Sequence, residues 1–296
     1  MSRVRAGWIS LGAGLLILAL KWVAYGLTGS VALYSDALES LVNVVAAAVA
    51  VFVLIVSARP ADSDHAYGHS KAEYFSSGFE GALILVAATL IIWEAGSRLL
   101  EPKIPEALDI GVLVSLAAAV ANGFLGLFLV RSGNRENSPA LKADGAHILT
   151  DVWTTAGVWV GIGLALLTGW WVLDPLLAIA VGINILFTAY QLLRGSISGL
   201  MDQSLTPAEL ETLRSALAET MGPALQIHAL KTRRSGPAVF VEFHLVVPGI
   251  TSVAEADLLC DQLEATVEKV FAAANITIHV EPEGKVLAKG FLTRGD

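Results

Sequence analysis

The sequence predicts a six-helix transmembrane bundle followed by a small α+β domain, and three observations carry that expectation. The 296-residue chain is 55% apolar and only 16% charged, too apolar for an ordinary soluble protein. Its apolar residues gather into long runs as far as Gly199, after which the chain reads as an ordinary charged domain. Six of those runs can cross the roughly 30 Å of bilayer hydrocarbon, which takes about 20 residues of helix. The expected domains are therefore residues 1–200, membrane-spanning, and residues 201–296, soluble.

The spans fall near Trp8–Leu27, Val31–Val56, Tyr74–Leu99, Ile110–Val130, Leu141–Leu167 and Trp170–Ser196. The start resembles the basic region of a signal peptide. The apolar run behind it is too long and lacks a small-residue cleavage site, so an uncleaved first helix is expected. Arg3 and Arg5 precede the first span, Arg59 and Lys71 flank the second loop, and Arg131, Arg135 and Lys142 the fourth. The first and fifth loops carry no Lys or Arg, so both termini are expected in the cytoplasm of a multi-pass inner-membrane protein. Lys21, near the outer end of the first span, is expected to snorkel outward or pair with a carboxylate.

In the second span, Asp36, Glu39 and Asn43 share one side at i, i+3 and i+7. Polar groups on one intramembrane stripe are expensive in lipid and should face the bundle interior. The loop that follows places Asp62, His65 and His69 close together, two imidazoles and a carboxylate that suit a zinc-like ion. In the fifth span, His147 and Asp151 lie one helical turn apart. That pair is either half of a divalent-metal site or a polar pair satisfied by a neighbouring helix.

From Thr206 the pattern is helix, strand, strand, helix, strand. Thr206 and Glu209 have capping-box spacing, with Pro207 at the first helical position. Strands are expected over Ala224–Thr232, Ala238–Val246 and Asn275–Val280, with a helix over Val253–Ala273. The remaining histidines, His228, His244 and His279, lie in this domain. Net charge −8 argues against a nucleic-acid partner. The single cysteine excludes an intramolecular disulfide. No His-Glu-x-x-His or serine-nucleophile motif is present, so an enzyme is not expected.

Three stretches together resemble the cation diffusion facilitator family, closest to its bacterial zinc and ferrous-iron efflux branch. They are the Ser-x-Ala-Leu-x-Ser-Asp-Ala run ending at Ala37, the Asp-x-x-His-x-Tyr-Gly-His-x-Lys-x-Glu loop ending at Glu73, and the His-x-x-x-Asp of the fifth span. The resemblance covers nearly the whole chain. It implies a divalent-metal exporter working against protons, with a tetrahedral transport site at Glu39, Asn43, His147 and Asp151. Family members usually present Asp-Asp or His-Asp where Glu39 and Asn43 stand, so this chain departs at a neutral amide. Asp36, one turn earlier, could contribute instead.

The resemblance further implies a cytoplasmic loop site at Asp62, His65 and His69. It implies a Lys71–Asp202 pairing at the hinge, and a metallochaperone-like αββαβ tail that dimerises. The tail's metal set would be His228, His244, Asp257, His279 and Glu281. The expected cargo is zinc first and ferrous iron second, with protons and membrane lipid as the other partners and no resident cofactor besides structural metal. The competing expectation, favoured by Asn43, is a non-transporting metal sensor or scaffold partner of another family member.

Overall fold

The computed structural model describes residues 2–28, 31–100, 110–170 and 172–294. The chain divides into two compact units, Met1–Ile197 and Ser198–Asp296.

The first unit is all helix: α1 (Arg3–Thr28), α2 (Val31–Ser57), α3 (Ala72–Leu100), α4 (Ile110–Arg135) and α5 (Pro139–Thr168), with α6 (Leu173–Leu200) running on into the second unit. Helix satisfies every backbone polar group within one segment, which a lipid environment demands. Prolines fall only in first turns, Pro139 in α5 and Pro175 in α6, where a missing N–H costs nothing. Among the described residues, five helices, α1 to α4 and α6, are long and apolar enough to cross a membrane. The expected sixth span falls on α5, in which the side chains of Val158, Ile162, Ala165 and Leu166 lie outside the described residues. α5 is 30 residues long, but its first half carries Lys142, Asp144, His147 and Asp151. Asp144 and His147 there are buried, so its polar face turns into the protein.

Helices α4 and α5 approach with their backbones in contact. A Cβ on Gly145 would lie 2.8 Å from Val130 and 2.9 Å from the Gly126 carbonyl oxygen, so only glycine fits. Large apolar side chains such as Phe52, Trp93 and Phe124 point outward, as lipid-facing positions should. Lys21 does not snorkel outward. It is 5% exposed and donates to Ser40 Oγ at 2.7 Å, tying α1 to α2. The segment 101–109 lies outside the described residues, as does the side chain of Asp36.

The second unit comprises α7 (Pro207–Thr220), β1 (Gln226–Ser235), β2 (Ala238–Val247), α8 (Val253–Val270), β3 (Ala274–Pro282) and β4 (Leu292–Thr293). The strands form one sheet in the order β3-β2-β1-β4. β1 and β2 make an antiparallel hairpin turning at Gly236, whose φ is 55°. β2 and β3 run parallel, joined by the α8 crossover, and β4 pairs antiparallel with β1. At two residues β4 is too short to leave a periodic signal, and it was not expected from sequence.

Both long helices of this unit open with complete capping boxes, Thr206 with Glu209 and Ser252 with Glu255. The core is the apolar face of the hairpin against the two helices. Val239, Val241, Phe243 and Leu245 meet Leu213 and Leu217 of α7 and Leu259, Leu263 and Val267 of α8. Strand alternation sends His244 to the opposite face.

Candidate metal centres

The intramembrane site is built on the contact between α2 and α5. Asn43 Nδ2 donates to Asp151 Oδ2 at 2.5 Å, and Asn43 Oδ1 lies 3.0 Å from His147 Nε2. Asn43 thus bridges the two residues that one turn of α5 places on a common face. With the amide oxygen towards Nε2, that ring nitrogen is the donor. His147 Nδ1 is buried without a hydrogen-bond partner. Glu39 is solvent-accessible, yet it lines, with Lys21, Asn43, Asn122, Asp151 and Thr155, a cavity of about 20 Å³. A space of that size holds one water or one ion. The structure therefore brings Asn43, His147 and Asp151 into direct contact and puts Glu39 on the same cavity wall. An amide can offer a cation only its oxygen, so an ion held by Asn43 Oδ1 and His147 Nε2 would replace the hydrogen bond between those two atoms.

Three buried carboxyl groups towards the α3 and α5 N-termini were not expected from sequence. Glu73 is fully buried and receives Arg3, Ser57 Oγ and Ser138 Oγ, joining α1, α2 and α3 to the start of α5. Asp144 accepts from Ser10 Oγ of α1 at 2.7 Å. Glu80 is 1% exposed, and among the described residues neither of its oxygens has a well-formed hydrogen bond. Their signal was available: Glu80 sits in an otherwise apolar stretch of a membrane span, where a lone carboxylate is costly.

In the loop before α3, Asp62 forms an Asx turn. Its Oδ1 accepts from the backbone N–H of His65 at 2.7 Å and of Asp64 at 3.1 Å. His69 Nε2 lies 3.3 Å from Oδ2, and His65 Nδ1 3.3 Å from Oδ1. The two rings are 4.4 Å apart. The His65 backbone N–H is the largest influence holding the Asp62 carboxyl below its ordinary 3.8. One ligand atom from each of the three residues falls within 4.8 Å of the others.

The tail cluster follows from strand register. His228 pairs with His244 across β1 and β2, and His244 with His279 across β2 and β3. The three imidazoles therefore form one row, with ring centroids 5.2 and 4.8 Å apart. Glu281, two residues beyond His279 on the same face, reaches back to all three. It lies 3.2 Å from His228 Nε2, 3.3 Å from His244 Nδ1 and 3.7 Å from His279 Nε2. A bulge just past His228, with Ala229 at φ 52°, ends the regular pairing there. Asp257 differs from expectation. It is exposed on α8, the helix on the opposite face of the sheet, and does not join the row. Asp202 accepts from Arg233 Nη1 at 3.0 Å within its own unit.

Membrane-capable helices around a water-sized polar cavity, joined to a His-rich domain, define a multi-pass cation transporter. Residues 7–201 match the cation efflux transmembrane domain, and residues 205–283 the cytoplasmic domain of cation efflux proteins, a dimerisation module. The chain belongs to this cation efflux family and is a cation efflux transporter. An uncharacterized transporter from Synechocystis is 46% identical over 274 residues, covering 93% of this chain and 88% of that one. The cation-efflux pump FieF of Pectobacterium atrosepticum is 32% identical, with 92% and 90% covered. Among solved structures, the metal-bound C-terminal domain of the CzcD transporter from Thermotoga maritima is 29% identical. It covers 28% of this chain and 100% of that one, with a TM-score of 0.26.

Proposed function

We propose that the chain exports a divalent transition-metal cation from the cytoplasm, zinc first and ferrous iron second, in exchange for protons. The carrying observation is the Asn43 bridge to His147 and Asp151, beside a one-ion cavity that Glu39 also lines. Glu39, Asn43 Oδ1, His147 and Asp151 are the transport ligands. With His147 neutral and the two carboxyl groups ionised, the pocket carries −2, which one divalent ion cancels. Protons entering from the acidic side compete for the same groups and release the ion. Alternating access between the two sides then couples the two fluxes.

In this reading α5 is the sixth span and both termini face the cytoplasm of a plasma membrane. The tail dimerises and holds structural metal at His228, His244, His279 and Glu281, and the Asp62, His65 and His69 loop holds a further ion. Lys71 and Asp202 serve the hinge. Imidazole with carboxylate is compatible with zinc and with ferrous iron, and geometry alone does not rank them.

The test is metal flux in proteoliposomes under an imposed proton gradient. His147→Ala and Asp151→Ala should each abolish it, and wild-type flux in both variants refutes the site. One feature favours a second reading as a non-transporting sensor or scaffold partner: Asn43 is neutral and already satisfies both α5 groups. Flux by the purified homodimer would exclude that reading.

A further inference from the structure

Glu80 and Asp144 are buried like Glu73 but lie outside its hydrogen-bonded cluster and outside the proposed ligand set. Glu80 is seven residues beyond Glu73 on α3, about 10 Å further along the helix axis. Asp144 is one turn before His147 on α5. The two are 1% and 2% exposed. The fold treats them unequally. Glu73 has an arginine and two hydroxyls, and Asp144 has Ser10. Both Glu80 oxygens are buried, and a donor near them, the hydroxyl of Ser76 one turn away on the same helix, makes no well-formed hydrogen bond to either. Among the described residues, Asp144 of α5 is the charged group that acts on Glu80, and Asp144 also acts on His147.

A carboxylate buried without a well-formed hydrogen bond is expensive, and the influence of the Asp144 carboxylate adds repulsion. Something positive must bind. A metal ion needs several ligands around it, and among the described residues these two acids belong to no converging group of His, Asp and Glu. A proton needs only one oxygen.

We propose that Glu80 is a proton-binding site of the transport cycle, protonated while the α2–α5 pocket is empty and deprotonated when a divalent cation loads it. The proposal rests on reading His147 and Asp151 as that pocket. On loading, the Glu80 O–H bond breaks and its proton passes to water. The new carboxylate is balanced by the added +2 of the loaded pocket. When the ion leaves, a proton returns to Glu80. The site restores a titratable group that Asn43 cannot provide.

Zinc titration of the full-length protein in detergent, by calorimetry in buffers of different ionisation enthalpy, counts protons released per ion. Glu80→Gln should keep the pocket's zinc binding and release about one proton fewer. Release from the loop and tail sites is common to both proteins and cancels in the difference. An unchanged count with pocket binding intact overturns the proposal. Asp151→Ala run alongside separates the two ideas: if it leaves zinc binding unaltered, the pocket reading fails instead. Infrared difference spectra of the unmutated protein give an independent check. A protonated-carboxyl C=O band should vanish on zinc addition and be missing from Glu80→Gln. A band indifferent to zinc overturns the assignment.

Discussion

Asn43 is the residue on which the proposed transport chemistry turns. Its two polar atoms are spent on His147 and Asp151, so hydrogen bonds tie α2 to α5 where a second carboxylate would repel Asp151. Replacing the amide with a carboxylate puts a second acid against Asp151. Asn43→Asp should therefore tighten divalent binding, by tenfold or more if the gain exceeds about 1.4 kcal/mol. It should also change the ranking of zinc against ferrous iron in transport competition. An unaltered ranking would place Asn43 outside the ligand set. Asp62 supports a pH prediction of known sign. Its folded pKa is depressed, so its contribution to loop order is present above the ordinary 3.8 and is lost as pH falls through the lower folded value. A carboxyl-carbon NMR titration should show Asp62 still ionised at a pH where an unperturbed aspartate is half protonated. A midpoint at or above 3.8 would contradict the Asx turn.

At the scale of elements, two devices position the sites. One is the α4–α5 approach, in which Gly126 and Gly145 let two backbones touch. Gly145→Ala must displace Val130 or part the helices, and overpacking of this kind costs about 1–3 kcal/mol. Because α5 carries His147 and Asp151, the variant should lower pocket affinity in zinc titration while the tail sites bind normally. The other device is the β1–β2–β3 register, which aligns three histidines without any of them being near another in sequence. Glu281 closes the row from the same strand as His279. Much of this was legible beforehand. The helices, the hairpin, the α8 crossover and the first capping box all leave periodic or spacing signals. β4 left none, and Asp257 was grouped with the histidines on the family resemblance, whereas α8 packs on the face of the sheet opposite the row.

For the whole molecule, the two units carry separate cation chemistry. The membrane unit holds a water-sized polar cavity beside Asn43 and Asp151, and the tail holds a row of imidazoles over a half-buried carboxylate. If the tail metal is structural, binding raises stability by mass action, and chelation reverses it. Glu281→Gln removes the one acid that touches all three histidines. It should abolish the zinc-dependent rise in tail melting temperature and leave the α2–α5 pocket's zinc affinity unchanged. Loss of pocket affinity in that variant would show that the two units share one binding equilibrium.

By itself the sequence determined the division into an apolar and a charged half, the helices and most of the strands. It also determined the candidate ligand pairs one turn apart, because periodicity and spacing are local properties of the chain. Only the tertiary structure decided which groups meet across elements. It bridged His147 to Asp151 through Asn43, turned Lys21 inward onto Ser40, and left Asp257 outside the histidine row. It also separated Glu73, with its arginine and hydroxyls, from Glu80, which among the described residues has no well-formed hydrogen bond. The physical reason is that a polar group's cost depends on what surrounds it once buried, and those neighbours come from helices and strands far apart in the chain.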